Sequence, residues 1–272
     1  MTHLAPHHAL IPCGGKGTRM LSLTGGAPKE LVPVAGVPVV ERVARECAAS
    51  GITELLVVIA PGKEEIERRL APLAGRRGMP QRIEFVVQRE ARGLMDAIRL
   101  GREFANEGSI AVALPDNLFL SEIPALRQVI DVAVATGKSA VSIVGISADE
   151  AKAKGATAIY GGEPHGAEFR IGFIPDKGAK SSTFDTKGAP LAYTGVGRYS
   201  FGKRLWKAID EVEGTIKPGT ELDDIPVMQL LLHRGLMTGC LIEGRFLDVG
   251  LPSGYTEANE YLERGGDAKL LR

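Results

Sequence analysis

Directly after a short apolar run, His8 to Pro12, the chain reads Cys13-Gly14-Gly15-Lys16-Gly17-Thr18-Arg19. Glycines at 14, 15 and 17 let peptide N–H groups approach phosphate oxygens closely, while Thr18 and Arg19 add a hydroxyl and a forked cation. That is the chemistry of a phosphate cradle, although the same residues also suit an ordinary tight turn followed by a solvated arginine. Two well-known phosphate loops do not fit. A P-loop needs Gly, four residues and Gly-Lys-Ser/Thr, and Gly137-Lys138-Ser139 has Val132 where the first glycine belongs. A dinucleotide fingerprint needs GxGxxG, and Gly15-Lys16-Gly17 runs on into Thr18-Arg19-Met20. A second candidate is Leu114-Pro115-Asp116-Asn117, where Asp116 closes an apolar run and offers a hard oxygen ligand; a turn-forming Asp-Asn pair is the alternative. Cys13 has no base candidate nearby in sequence and reads as a small buried residue rather than a nucleophile. His3, His7 and His8 sit in an N-terminal leader without a fourth ligand partner, and no role is assigned to them.

These groups need elements to hold them. His8 to Pro12 predicts a strand. From Pro38 the apolar positions Val39, Val40, Val43, Ala44, Cys47 and Ala48 recur at three- and four-residue steps, an amphipathic helix that Gly51 ends. Leu55 to Ala60 and Ile83 to Val87 predict strands, with helix over Lys63 to Leu73. Then follow helix from Gly93 to Phe104, strand from Ile110 to Leu114, helix from Ile123 to Ala135 and strand from Ser139 to Ile146. Continuous apolar strands separated by helices imply a parallel sheet buried on both faces. The pattern changes after that strand. Ala156 to Tyr160 and Glu168 to Ile174 flank a turn rich in glycine (Gly161, Gly162, Gly166) and predict a hairpin. Leu191 to Tyr199 predicts a strand, Phe201 to Val212 and Asp223 to Arg234 helices, Met237 to Asp248 a strand pair, and Ser253 to Leu262 a closing helix. Lys177 to Lys187 reads as loop.

At 272 residues and 44% apolar content the chain has ample material for a core. Thirty-three Lys and Arg balance thirty-three Asp and Glu, so there is no sequence-wide basic field and nucleic acid is not an expected partner. The longest apolar runs fall well short of the roughly 20 residues that cross a bilayer, so no membrane span is expected. The N-terminus lacks the charged region, long apolar segment and cleavage site of a secretory signal. Three scattered cysteines without CxxC spacing indicate neither a disulfide framework nor a zinc knuckle, and the cytoplasm is the expected location.

What raises the glycine loop above an ordinary turn is its continuation. Nine residues after Arg19 comes Lys29, in Pro28-Lys29-Glu30-Leu31-Val32-Pro33-Val34. In this combined pattern the chain resembles the sugar-1-phosphate nucleotidyltransferases, whose signature is G-G-x-G-T-R followed by a P-K dipeptide and L-x-P-V. Among them it looks most like the bacterial glucose-1-phosphate uridylyltransferases. The resemblance implies a three-layer α/β/α, Rossmann-like fold with a mostly parallel mixed sheet and a smaller β-rich sugar-binding insertion. It implies a single domain over 1–272, with a nucleotide-binding part at about 8–146 and a sugar and second-metal part at about 147–265.

By the same resemblance, Arg19 and Lys29 hold the triphosphate and the departing pyrophosphate, lined by Cys13, Gly14, Gly15, Gly17 and Thr18. Gln88 and Gly93 read a pyrimidine base. Asp116, counted with Arg19 and Lys29 as catalytic, shares one Mg²⁺ with Asp248 of Phe246-Leu247-Asp248-Val249-Gly250. Gly155, Asp176, Lys177, Gly195 and Val196 take the sugar phosphate. The family's E-K-P reads Asp176-Lys177-Gly178 here, which shortens one side chain and loosens one turn and so leaves the sugar open. Asp224, in a stretch that lacks the family's Thr, is a supporting position. The implied reaction joins a nucleoside triphosphate, UTP first and dTTP second, to a sugar 1-phosphate, glucose 1-phosphate first, releasing pyrophosphate. The implied assembly is a homo-oligomer, dimer or tetramer. A thymidylyltransferase or cytidylyltransferase acting on another sugar or alcohol phosphate is the alternative within the class. A non-catalytic nucleotide sensor is the alternative outside it, and retention of Arg19, Lys29, Asp116 and Asp248 argues for an enzyme.

Overall fold

The structure is a computed structural model that describes residues 5–15, 17–154, 159–176, 191–217 and 219–264. In chain order its strands are β1 (His8–Cys13), β2 (Pro33–Val34), β3 (Val37–Pro38), β4 (Glu54–Ile59), β5 (Arg82–Val87), β6 (Ile110–Ala113), β7 (Asn117–Leu120), β8 (Ser139–Ser147), β9 (Gly161–His165), β10 (Glu168–Phe173), β11 (Leu191–Phe201), β12 (Met237–Leu241) and β13 (Arg245–Asp248). The helices are α1 (Leu21–Thr24), α2 (Val39–Ala49), α3 (Glu64–Leu70), α4 (Leu94–Arg99), α5 (Ala125–Thr136), α6 (Ala148–Lys154), α7 (Arg204–Glu213), α8 (Asp224–His233) and α9 (Pro252–Glu263).

Nine strands form one mixed sheet in the order β5-β4-β1-β6-β11-β8-β12-β10-β9. Parallel pairs join β5, β4, β1 and β6, and also β8 and β12. The long strand β11 runs antiparallel between β6 and β8. Side chains alternate across a strand, so each strand feeds two cores. Ala9, Ile11, Leu55 and Val57 pack under α2 and α3, whereas Leu10, Leu56 and Val58 pack with residues of α4, α7 and α8 on the opposite face. This double burial is why the runs read as continuously apolar. Mixed sheet and covering helices agree with the expected fold class.

The short elements α1, β2, β3 and α6 have no counterpart in the sequence reading, and three further details differ from it. The hairpin is present, but its first strand is Gly161–His165, the stretch expected to turn. A Cβ on Gly162 would lie 2.2 Å from the Arg170 carbonyl, so that glycine serves close strand pairing, and the turn itself is Gly166-Ala167 with Gly166 at φ +63°. Met237 to Asp248 is not a hairpin: β12 joins β8 in the main sheet, while β13 pairs antiparallel with β7, a strand the sequence reading missed. The helix expected to reach Phe104 stops at Arg99, beyond which Gly101 and Arg102 bond three residues back, and Asn106 and Glu107 take positive φ. Among the described residues no helix is long and apolar enough to cross a membrane.

Cys13, Cys47 and Cys240 are free and buried. Burial pushes the Cys13 thiol up and pushes Cys47 and Cys240 up to about 12. A raised pKa keeps the thiol protonated and unreactive. All three cysteines are therefore expected to resist DTNB at pH 8 in the folded protein and to react together in denaturant. Rapid labelling of one thiol in the native state would contradict their placement.

Candidate active site

Because β1, β4, β5 and β6 are parallel, the segments leaving their C-terminal ends emerge on one edge of the sheet. Those segments carry the glycine loop after Cys13, Lys63 after β4, Gln88 after β5 and Asp116 after β6. Thr18–Met20 forms a single tight turn entered through Gly17 at φ +65°; Met20 is buried, and Thr18 and Arg19 are exposed on the rim. Lys63, missed in the sequence, fixes the loop from below. Its Nζ donates to the carbonyls of Cys13 (2.8 Å) and Gly15 (2.6 Å) and to the carboxylate of Glu30 (2.9 Å), itself 2% exposed. In a planar trans peptide the N–H opposes the C=O, so drawing the Cys13 carbonyl toward Lys63 turns the Gly14 N–H away from it, toward the outer side of the loop. The cradle thus owes its shape to a part-buried ion pair as well as to its glycines.

Gln88 sits against this loop, its Oε1 only 2.7 Å from where a Cβ on Gly14 would be. Its backbone N–H donates to Ile59 O (2.8 Å), and its Nε2 donates to Asp96 Oδ2 (2.8 Å) and Gly93 O (3.3 Å). Gly93 has φ +103°, and a Cβ there would fall 2.4 Å from the Leu222 carbonyl, which accepts from Met95 N–H at 3.0 Å. Gly93→Ala is expected to cost about 2–3 kcal/mol through the strained φ and that clash. Thermal unfolding should show a drop of roughly 5–10 °C; an unchanged melting temperature would mean the segment relaxes freely.

Asp116 and Asp248 come together through the β7–β13 pair. Asn117 lies opposite Asp248, and Val249 N–H donates to the Asp116 carbonyl (2.9 Å). Gly250 N–H donates to Asp248 Oδ1 (3.1 Å), and a Cβ on Gly250 would stand 2.8 Å from Asp116 Oδ2. Both carboxylates converge on backbone that carries no side chain. Two hard oxygen donors brought beside one glycine fit a hard divalent cation. Lys29 Nζ donates to Asp116 Oδ2 in a close ion pair. Behind them Arg198, fully buried, pairs with Glu46 through Nε (2.9 Å) and Nη2 (2.6 Å) and donates to the carbonyls of Leu114 (2.9 Å) and Asn117 (2.7 Å), which bracket Asp116.

The sugar-side candidates are more scattered. Gly195 packs on Tyr160, where a Cβ would stand 2.7 Å from the ring, and Val196 turns its side chain into the core while its carbonyl accepts from Ser142 Oγ. Asp176 is exposed and accepts from Gln229 Nε2 (2.9 Å). Gly155 and Lys177 lie outside the described residues. Tyr199, unmarked in the sequence, donates to Asp224 Oδ2 (3.4 Å); burial, then the charge of Asp224, raises both its pKa and that of Tyr160. Both phenols therefore stay protonated at neutral pH.

Cations and carboxylates facing one another beside a glycine loop, at the C-terminal edge of a largely parallel sheet, mark an α/β enzyme that handles phosphate esters. The chain belongs to the nucleotidyl transferase family, whose pattern matches residues 8–265. A Bacillus subtilis protein with the provisional name UTP–glucose-1-phosphate uridylyltransferase is 31% identical over 265 residues, 91% of this chain and 93% of the relative. The Haemophilus influenzae UTP–glucose-1-phosphate uridylyltransferase is 28% identical over 92% of this chain and 90% of its own length. A UDP-glucose pyrophosphorylase solved with UDP-glucose superposes with a TM-score of 0.77 over 97% of this chain and all of its own; at 22% identity that likeness concerns the fold. Enzymes of this family generally use a divalent metal.

Proposed function

We propose that this nucleotidyl transferase joins UTP to glucose 1-phosphate, giving UDP-glucose and pyrophosphate. The observation that carries the reading is the Lys29–Asp116 ion pair beside Asp248, set next to the glycine loop. UTP and glucose 1-phosphate are the substrates named for the relatives.

A phosphate oxygen of glucose 1-phosphate attacks the α-phosphorus in line; the new P–O bond forms as the bond to the β-phosphate oxygen breaks, and pyrophosphate leaves with that electron pair. Positioning and charge supply most of the acceleration in such transfers. Loop amides hold the phosphates, Arg19 closes on them from the rim, and Lys29 moves from Asp116 toward the departing pyrophosphate. Asp116 and Asp248 are the residues that would hold Mg²⁺. That ion supplies charge neutralisation between nucleotide and sugar phosphate when bound. Gln88, whose Nε2 is already engaged, offers Oε1 to the base; an acceptor suits the N3–H of uracil or thymine and repels the bare N3 of cytosine.

The proposal includes one catalytic domain, a nucleotide half at about 8–146 and a sugar half at about 147–265. It further includes a homo-oligomer, testable by light scattering, and a reducing cytoplasmic setting consistent with three buried free thiols. Pyrophosphate release with Mg²⁺, measured across five nucleoside triphosphates and a panel of sugar 1-phosphates, tests the reaction. Turnover greatest with UTP and glucose 1-phosphate is expected. Preference for dTTP or another sugar would move the reading to a thymidylyltransferase, and nucleotide binding without any turnover would favour a sensor.

A further inference from the structure

We propose that Asp96, held by Arg99, is a specificity-determining residue that fixes which end of the Gln88 amide meets the base, and thereby selects uracil or thymine over cytosine. The proposal rests on the reading of Gln88 as the residue facing the base.

An amide side chain presents a donor or an acceptor depending on a rotation that conserves its shape, so something must choose between the two. Here the choice is made on the buried side. Asp96, itself buried in the first turn of α4, accepts from Gln88 Nε2 through Oδ2 at 2.8 Å. Its other oxygen, Oδ1, accepts from Arg99 Nη2 at 2.7 Å. Gly93 O takes a second Nε2 hydrogen at 3.3 Å. A carboxylate has no hydrogen to give, so rotating the amide would set Gln88 Oε1 against both Asp96 and Gly93 oxygens. Oε1 is therefore held toward Gly14 and the glycine loop. Gln88 is kept as an acceptor, which matches a pyrimidine with a ring N–H at position 3 and opposes one with a lone pair there.

Asp96→Asn reverses the instruction with little change of shape. Arg99 still requires an oxygen at its end, so the new Nδ2 faces Gln88 and favours the rotated amide, whose Nε2 then points to the base. The experiment measures kcat/KM for UTP and CTP with glucose 1-phosphate, and Kd for both nucleotides by calorimetry, in the parent, Asp96→Asn and Asp96→Ala. The expected result is a UTP-to-CTP ratio, in binding and in turnover, at least about tenfold lower in Asp96→Asn, the scale of one reversed hydrogen bond. Asp96→Ala, which leaves only the longer contact to Gly93 O to orient the amide, is expected to fall between. A purely structural role would lower both nucleotides together and leave the ratio where it was, and that result in a folded variant overturns the proposal. Should Asp96→Asn fail to fold, an unchanged ratio in Asp96→Ala overturns it equally. If the parent binds UTP over CTP without turnover, the reaction assignment fails while the calorimetric ratios still decide the role of Asp96. A parent that binds both alike overturns the role of Asp96 directly.

Discussion

Asp116→Asn is expected to lower kcat by about a thousandfold, the range seen when a preorganised charge is removed from a transition state. The substitution keeps the size of the side chain and the turn that holds it, since Asn117 Oδ1 still accepts from Gly197 N–H (2.8 Å) and Arg198 still grips the flanking carbonyls. What is lost is one of the two carboxylates converging on Gly250, together with the charge that Lys29 pairs with. The metal concentration for half-maximal rate should rise with the fall in kcat, while the melting temperature stays within a few degrees. Steady-state kinetics over a Mg²⁺ titration checks both, and a variant retaining a tenth or more of parental kcat would remove Asp116 from the centre of the reaction.

Lys29→Met carries the second large effect. The change removes the cation assigned to the pyrophosphate and leaves Asp116 beside Asp248 without its neutralising partner. Single cations that stabilise phosphoryl-transfer transition states are worth about 10³-fold or more, so kcat/KM is expected to fall by about that factor. Because an enzyme cannot shift the equilibrium it catalyses, synthesis of the nucleotide sugar and its pyrophosphorolysis should fall in the same proportion. Measuring both directions tests this. A loss confined to the KM for the sugar phosphate would instead place Lys29 on the acceptor side.

Most of the helices and strands were legible because their cause is local. Val39, Val40, Val43 and Cys47 recur at the helical period and are all buried on one side of α2, and the continuous runs of β1, β4 and β6 are apolar because both faces of the sheet are covered. The misreadings arose where a residue type serves two purposes. Gly161 and Gly162 suggest a turn by composition, yet they let β9 lie close against β10. Nothing in Asn117 to Leu120 marks a short strand until Arg245 to Asp248 arrives to pair with it.

The candidate site divides along the same line. By itself the sequence showed the glycine loop, the Arg19-to-Lys29 spacing, the separate motifs around Asp116 and Asp248 and the alternation of strand and helix, each of them legible in neighbouring residues. Only the tertiary structure decided that Lys63 holds the loop from 50 residues away, that Arg198 and Glu46 meet across 152 residues behind Asp116, and that Asp96 turns the Gln88 amide. Periodicity and turn chemistry are written into neighbouring residues because backbone geometry repeats over short distances. A hydrogen bond between distant segments leaves no such period, and its partners become visible only when the sheet brings them together.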